Sequence, residues 1–431
     1  MTASAVLDGG PAAAQERAFP ALDGMRIIAA VAVVVSHTAS RTGASVEDGY
    51  GASMLSHLGV GVAVFFVLSG FLLFRPFPSA AARGVPAPGA GAYLWRRALR
   101  ILPAYWVTVA AAVLFLPDNT ATGADVLLRY LTLTQIYDDN GFTTAHGLDH
   151  VWSLSTEVAF YAVLPLLAAG LVWLSRGRPD RPWPALLALL GLTVAGSVFL
   201  YVAMRNPWEL YPTNIWLPSL FGWFAGGMAL ALLTVADPDW APVRAARALG
   251  GHLGVCWLGA AAFYAVACTP VAGPHNYFDP AGPAELVIRN LLLHMGVAVL
   301  LVLPLVLGQE RGGPVRRALS GTTAHRLGEI SYGVFLVHVP LLTGLYSWLA
   351  LPALNGGFIP VTVLVLGASV TIAAGMYAAV ERPLRRFRTL VPDRSRAAAP
   401  APGRHQAPAA ATLATVPAVA VPQHATGGTT P

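Results

Sequence analysis

Residues 22–42 read LDGMRIIAAVAVVVSHTASRT, and their long apolar centre, interrupted only by Arg26 and His37, decides the class of fold. As a helix rising about 1.5 Å per residue, this stretch reaches across the roughly 30 Å hydrocarbon core of a bilayer. Nine more runs of similar character follow, near residues 58–74, 101–117, 151–174, 184–203, 215–236, 253–271, 286–307, 328–350 and 359–380. Composition agrees, with 55% hydrophobic and 11% charged residues and a mean hydropathy of +0.60. A water-soluble chain of this length would not show that balance. The expectation is an all-α polytopic membrane protein of about ten transmembrane helices. The first run reads as a span rather than a cleaved signal peptide, because no small-residue cleavage site follows it. Residues 1–18 and 392–431 are Ala/Pro-rich and aperiodic, so both are expected as disordered tails around a membrane domain at 19–391.

All 27 basic residues are Arg, and 23 of them fall at the N-terminal end or in alternate loops, against four in the opposite set. That opposite set holds ten acids, among them Asp125 and Asp149. By the positive-inside rule the Arg-rich face is cytoplasmic, which places both termini there and the chain in a bacterial inner membrane. The charge is spread through short loops rather than gathered on a solvated domain, which argues against a nucleic-acid partner. In the long acidic-side loop, Val126–Ile136 is too short to span and reads as an interfacial or re-entrant segment. Cys256 and Cys268 share one apolar run about 18 Å apart along a helix, too far for a disulfide. Neither an internal repeat nor a metal-ligand spacing is apparent.

Ionisable groups inside apolar spans are costly, so each is a candidate for function. Arg26 and His37 lie eleven residues apart, on nearly one face of the first span, with His37 about 16 Å above Arg26. Their structural alternatives are a snorkelling anchor and a hydrogen-bonded packing histidine. Within GVGVAVFFVLSGFLLF (59–74), followed by Arg75, Ser69 could be a nucleophile or part of a close-packed small-residue contact. In YLWRRALRILPAYW (93–106), Arg97 and Arg100 suit bidentate phosphate capture, or serve as an ordinary positive-inside flank. HVWSLSTEVAFYAVLP (150–165) places Glu157 inside a span among Trp152, Ser153, Ser155 and Tyr161. A buried carboxylate needs a partner, and His37 is the natural one. LGEISYGVFLVHVPLL (327–342) adds Glu329, Ser331, Tyr332 and His338, and the last span ends in Glu381-Arg382, where Arg382 is either an anchor or a phosphate contact.

Those five blocks, in that order, resemble the membrane acyltransferase-3 family, which includes O-antigen, peptidoglycan, exopolysaccharide and macrolide O-acyltransferases. The resemblance covers roughly residues 20–390. It implies transfer of an acyl group, with acetyl expected, from cytoplasmic acyl-CoA to a hydroxyl of a sugar-containing acceptor. By matching position, His37 is the catalytic histidine, Arg26 its motif partner, Arg97 and Arg100 the Arg pair, and Glu157 the acid of the fourth-span motif. The sequence departs from many members at Val62 and Ala63, where an acid is common, and at Phe335, where Tyr is common. No esterase-like domain is recognisable after residue 390, so a stand-alone member is expected.

On that reading acyl-CoA is a co-substrate and no cofactor is tightly bound. Arg26, Arg75, Arg97, Arg100 and Arg382 are its expected contacts. His37 acts as general base with Glu157 stabilising its imidazolium, and Ser69, Trp152, Ser155, Tyr161, Ser331, Tyr332 and His338 line the substrate pocket. An acyl-histidine intermediate is the alternative route. The rival from another class is a proton-coupled transporter or flippase for a lipid-linked sugar or antibiotic, with His37 and Glu157 as its proton relay.

Overall fold

The structure is a computed structural model that describes residues 19–119, 123–137, 145–205, 212–274, 281–308 and 313–393. Among them there is no β-strand. In chain order the helices are α1 (Ala21–Thr42), the segmented α2 (Tyr50–Ala82), α3 (Ala90–Phe115), the short α4 (Ala124–Leu131), α5 (Asp149–Leu174), α6 (Trp183–Arg205) and α7 (Thr213–Val235). They continue with α8 (Ala241–Gly250), α9 (Leu253–Ala267), α10 (Pro283–Leu307), the short α11 (Pro314–Ser320), α12 (Thr322–Trp348) and α13 (Phe358–Thr389).

Nine of the described helices are long and apolar enough to cross a bilayer, and α8 with α9, bent by 88°, makes a tenth candidate. The fifteen residues of α9 rise only about 22 Å, yet the helix joins the two faces. At its start the Cys256 thiol donates to the Leu249 carbonyl of the Arg-bearing α8. At its far end, Tyr50 OH donates to Ala265 O (2.9 Å) and Ser53 Oγ to Cys268 O (2.9 Å), tying it to the acidic-face end of α2. The two cysteines are free, as their spacing requires.

Close backbone approach sets the centre of the bundle. A Cβ on Gly70 of α2 would lie 2.1 Å from Phe224 O, and one on Gly227 of α7 would lie 2.0 Å from Val67 O, so only glycine fits at either crossing. The gap is sealed by stacked rings, Phe66 on Phe224 at 4.3 Å and Phe160 on Phe224 at 4.1 Å. Leu166, Leu114 and Leu258 are more than 70% exposed, as side chains that face lipid should be.

One boundary differs from the sequence reading. Helix α3 begins eleven residues before the expected 101, so Arg97 and Arg100 are helical residues within it. Apolar run length misses this because charge marks where the membrane starts and not where the helix does. The Val126–Ile136 stretch, read as too short to span, folds as α4 and a following turn against the middle of α3 and the start of α7. Tyr105 OH donates to Tyr130 O (2.6 Å), Trp106 Nε1 to Leu131 O (3.0 Å) and Trp216 Nε1 to Ile136 O (2.8 Å). The expected tails lie outside the described residues except for Pro392 and Asp393. The Asp393 carboxylate is held by Arg96 (3.1 Å) and by the Gly89 amide (3.2 Å), so that short piece is strapped to the start of α3.

Candidate active site

Three histidines from separate helices meet in the acidic-face half of the bundle. His37 comes from α1, His150 from the first turn of α5 and His338 from α12, with ring centroids 5.1 Å (37–338), 4.9 Å (150–338) and 6.4 Å (37–150) apart. His338 is fully buried and His150 nearly so, while His37 keeps partial exposure.

Hydrogen bonds fix the proton on each ring. His338 Nδ1 faces the carbonyls of Phe335 (2.6 Å) and Val334 (3.3 Å) in its own helix, so it carries the hydrogen and Nε2 is the acceptor. His37 Nδ1 sits 2.9 Å from that Nε2 and must therefore donate, which leaves the His37 Nε2 lone pair pointing away from the relay. His150 Nε2 donates to Leu336 O at 3.2 Å. That carbonyl is available because its normal helical donor would be residue 340, which is proline and has no N–H. The His150 Nδ1 that remains is a buried acceptor with no partner among the described residues. No group of three or more His, Cys, Asp or Glu among those residues is arranged to hold a metal ion; each ring here is engaged by hydrogen bonds instead.

Glu157, expected beside His37, is elsewhere. Seven residues along α5 from His150, it sits about 10 Å nearer the Arg-rich face. There its Oε1 accepts from Ser69 Oγ and from Tyr161 OH at 2.5 Å. Two hydroxyls already engage the carboxylate, and the imidazole takes a neutral acceptor in His338. Ser69 donates its proton to Glu157 and is a positioned hydroxyl within that cluster.

The arginines divide. Arg26 pairs with Asp23 at 3.0 Å, and the same carboxylate takes His325 Nδ1 at 2.8 Å, so Arg26 anchors the Arg-rich end of α1 and does not approach His37. Arg75 donates to Thr234 Oγ1 (3.1 Å) and lies over the Phe19 ring. Arg97 is half-buried on α3, and Arg100, one turn on, lines a recess at the Arg-rich face with Leu99, Glu329, Glu381, Leu384, Arg385 and Arg388. Arg382 is exposed and does not line that recess; Arg385 and Arg388, one helical turn and more beyond it, do.

The expected pocket residues scatter as well. Ser331 Oγ donates to Gly328 O (2.8 Å) and Tyr332 OH to Ile101 O (2.9 Å), so both are satisfied by backbone. Trp152 is half-buried against the core, and Ser155 is buried with no partner for its hydroxyl among the described residues. His338 is at the centre of the site. Sequence reasoning passed over His150, although it stands two turns before Glu157 and three residues after Gly147 of the preceding turn, and it also passed over Asp23, Arg385 and Arg388.

A bundle of membrane-spanning helices with a tautomer-fixed histidine in one half and an arginine-lined recess in the other is the framework of a multi-pass membrane acyltransferase. The chain belongs to the acyltransferase-3 family, whose model, described as an acyltransferase domain, matches residues 19–379. It is 30% identical over 340 residues to the exopolysaccharide production protein ExoZ of Rhizobium meliloti, covering 76% of this chain and 89% of that one. It is 23% identical to nodulation protein 10 of Rhizobium leguminosarum bv. viciae, covering 76% and 83%. Over 156 residues, 34% of this chain and 38% of the other, it is 33% identical to the acyltransferase MdmB of Streptomyces mycarofaciens. No solved structure matches.

Proposed function

We propose that this acyltransferase moves an acyl group, acetyl in the simplest case, from acyl-CoA bound at its Arg-rich face to a hydroxyl of a sugar-bearing acceptor near His37. The Arg-rich face is then the cytoplasmic side of a bacterial inner membrane. The observation that carries the reading is the hydrogen-bonded chain from His37 Nδ1 through His338 to the Phe335 carbonyl. It holds the His37 ring in one tautomer and one orientation, with Nε2 ready to accept a proton. Kinship to an exopolysaccharide production protein and to an acyltransferase supports a glycan or a glycosylated metabolite as acceptor.

In the reaction, His37 Nε2 takes the acceptor's hydroxyl proton while the oxygen attacks the thioester carbonyl. The imidazolium so formed keeps its Nδ1–H bond to His338, the role a carboxylate fills in hydrolase triads. The tetrahedral oxyanion collapses, the C–S bond breaks, and the departing thiolate takes the proton from His37. The products are the ester and free CoA thiol, with the histidine restored.

Purified wild type and His37→Ala, given acetyl-CoA and a membrane-plus-metabolite extract of the source cells, should differ in thiol release by at least about 10³-fold. Near-normal release by the variant overturns the role of His37. If wild type releases no thiol from any short acyl-CoA, the donor reading fails, and proton-driven substrate movement in vesicles is then the activity to measure.

A further inference from the structure

The last two turns of α1 carry a strip that the bundle does not cover. Ser36, His37 and Arg41 keep partial exposure and Ser40 is exposed, whereas Thr38, Ala39 and Thr42 are buried. At about 100° per residue the four uncovered positions share one side of the helix, so the strip leads from the acidic-face end of α1 down to His37. Arg41 stands at its head, one turn and about 6 Å above His37. Cations are scarce on that face, and Arg205, another of its four arginines, is exposed and donates to Tyr201 OH of its own helix (2.9 Å). Arg41 is instead stacked, its guanidinium 4.8 Å from the ring centroid of the buried Tyr346 of α12. Its Nε is buried with no hydrogen-bond partner among the described residues, and none of the ion pairs among them includes it. The backbone beneath is clamped, since Leu354 N donates to Arg41 O (3.1 Å) and Gly356 N to Thr42 O (2.9 Å). A positive charge in the last turn of a helix is favoured by the helix dipole. That does not account for a guanidinium fixed on a ring, one turn from the reacting imidazole, without a carboxylate to hold.

From this we infer that Arg41 binds an anionic group of the acyl acceptor, a carboxylate or a phosphate, so that the sugar to be acylated is acidic. The planar guanidinium fork matches either group, and a side chain already held on Tyr346 loses little further freedom when it binds. One helical turn is about the breadth of a sugar ring. The hydroxyl that gives its proton to His37 and the group that Arg41 holds therefore belong to one sugar or to adjacent ones. A neutral sugar would leave the cation without its partner, which makes the charge a means of selection as well as of binding. This rests on the acyl-transfer reading above and adds to it the charge of the acceptor.

The test divides the source-cell extract on an anion exchanger and follows thiol release from acetyl-CoA by full-length protein in detergent. Wild type should find its acceptor in the retained, acidic fraction. Arg41→Gln should raise the apparent KM for that fraction at least tenfold and leave the KM for acetyl-CoA within about twofold. Arg41→Lys keeps the charge without the fork and should fall between the two. Elution profile and melting temperature establish that both variants are folded, and the fractionation arm needs wild type alone. Two treatments of the retained fraction identify the anion. Carbodiimide-mediated reduction of carboxyl groups abolishes acceptance if it is a carboxylate, and mild acid, which cleaves glycosyl phosphates, abolishes it if it is a phosphate. Acceptance confined to the unretained, neutral fraction overturns the role of Arg41, as does an unchanged acceptor KM in Arg41→Gln. Either result leaves the acyl-transfer reading standing, because thiol is still released. Failure of wild type to release thiol with the whole extract overturns both readings together.

Discussion

The two polar regions of this apolar bundle are built on opposite hydrogen-bond balances. Around His37 the protein runs short of donors. The relay ends on backbone carbonyls, and His37 Nε2 and His150 Nδ1 are left as acceptors. Around Glu157 and in the Arg-rich recess donors are in excess, with Ser69 and Tyr161 converging on one carboxylate and Arg100, Arg385 and Arg388 gathered at the face. A region short of donors takes a hydroxyl, and a region rich in cations takes an anion. Inside lipid, where water cannot make up either deficit, the proposed acceptor suits one half and the proposed donor the other.

The sharpest way to break the assignment is to exchange the support of His37. His338→Ala removes the acceptor that fixes the tautomer, and kcat should fall about 10²-fold or more with the KM for acyl-CoA little changed. Glu157→Gln keeps an oxygen for Ser69 and Tyr161, and should lower kcat only several-fold. If the two variants rank the other way round, Glu157 supports the imidazole after all and the two regions are one.

In the recess, Arg100→Ala should raise the KM for acyl-CoA about tenfold at low salt while kcat stays within about threefold. The deficit should narrow as ionic strength rises, because screening weakens the wild-type contact as well. A fall in kcat at unchanged KM would place Arg100 with the chemistry and erase the division between the halves.

The contrast was half legible in the sequence. Lipid demands long apolar runs, so the spans announced themselves, and an imidazole inside one announced His37. The bend between α8 and α9 and the early start of α3 did not, because composition does not record helix direction. Charge logic chose Glu157 as the partner of His37, since a carboxylate is the usual mate of an imidazole. The true partner lies 301 residues away in sequence. It is chosen by which carbonyls His338 can reach, a matter of helix packing that no local pattern encodes. Likewise Arg382 adjoins the last span, but it is the turn that follows which carries Arg385 and Arg388 over the recess.

The smallest effect tests how far proline shapes the donor-poor half. Pro340 withholds an N–H from the Leu336 carbonyl, and His150 takes its place at 3.2 Å. Pro340→Ala restores a backbone donor that competes for the same oxygen, so His150 is released to rotate or to change tautomer. Helix α12 should gain stability from the regained bond and from the better helix former, so the melting temperature should hold or rise by a few degrees. Turnover should move the other way, with the KM for the acyl acceptor rising about threefold once His150 Nδ1 no longer presents its lone pair at a fixed angle. A more stable protein with a weaker hold on its acceptor would show that the proline is there for the histidine. Unchanged acceptor kinetics would mean that His150 finds its carbonyl without help, and that the unpaired Nδ1 is a feature of packing rather than of recognition.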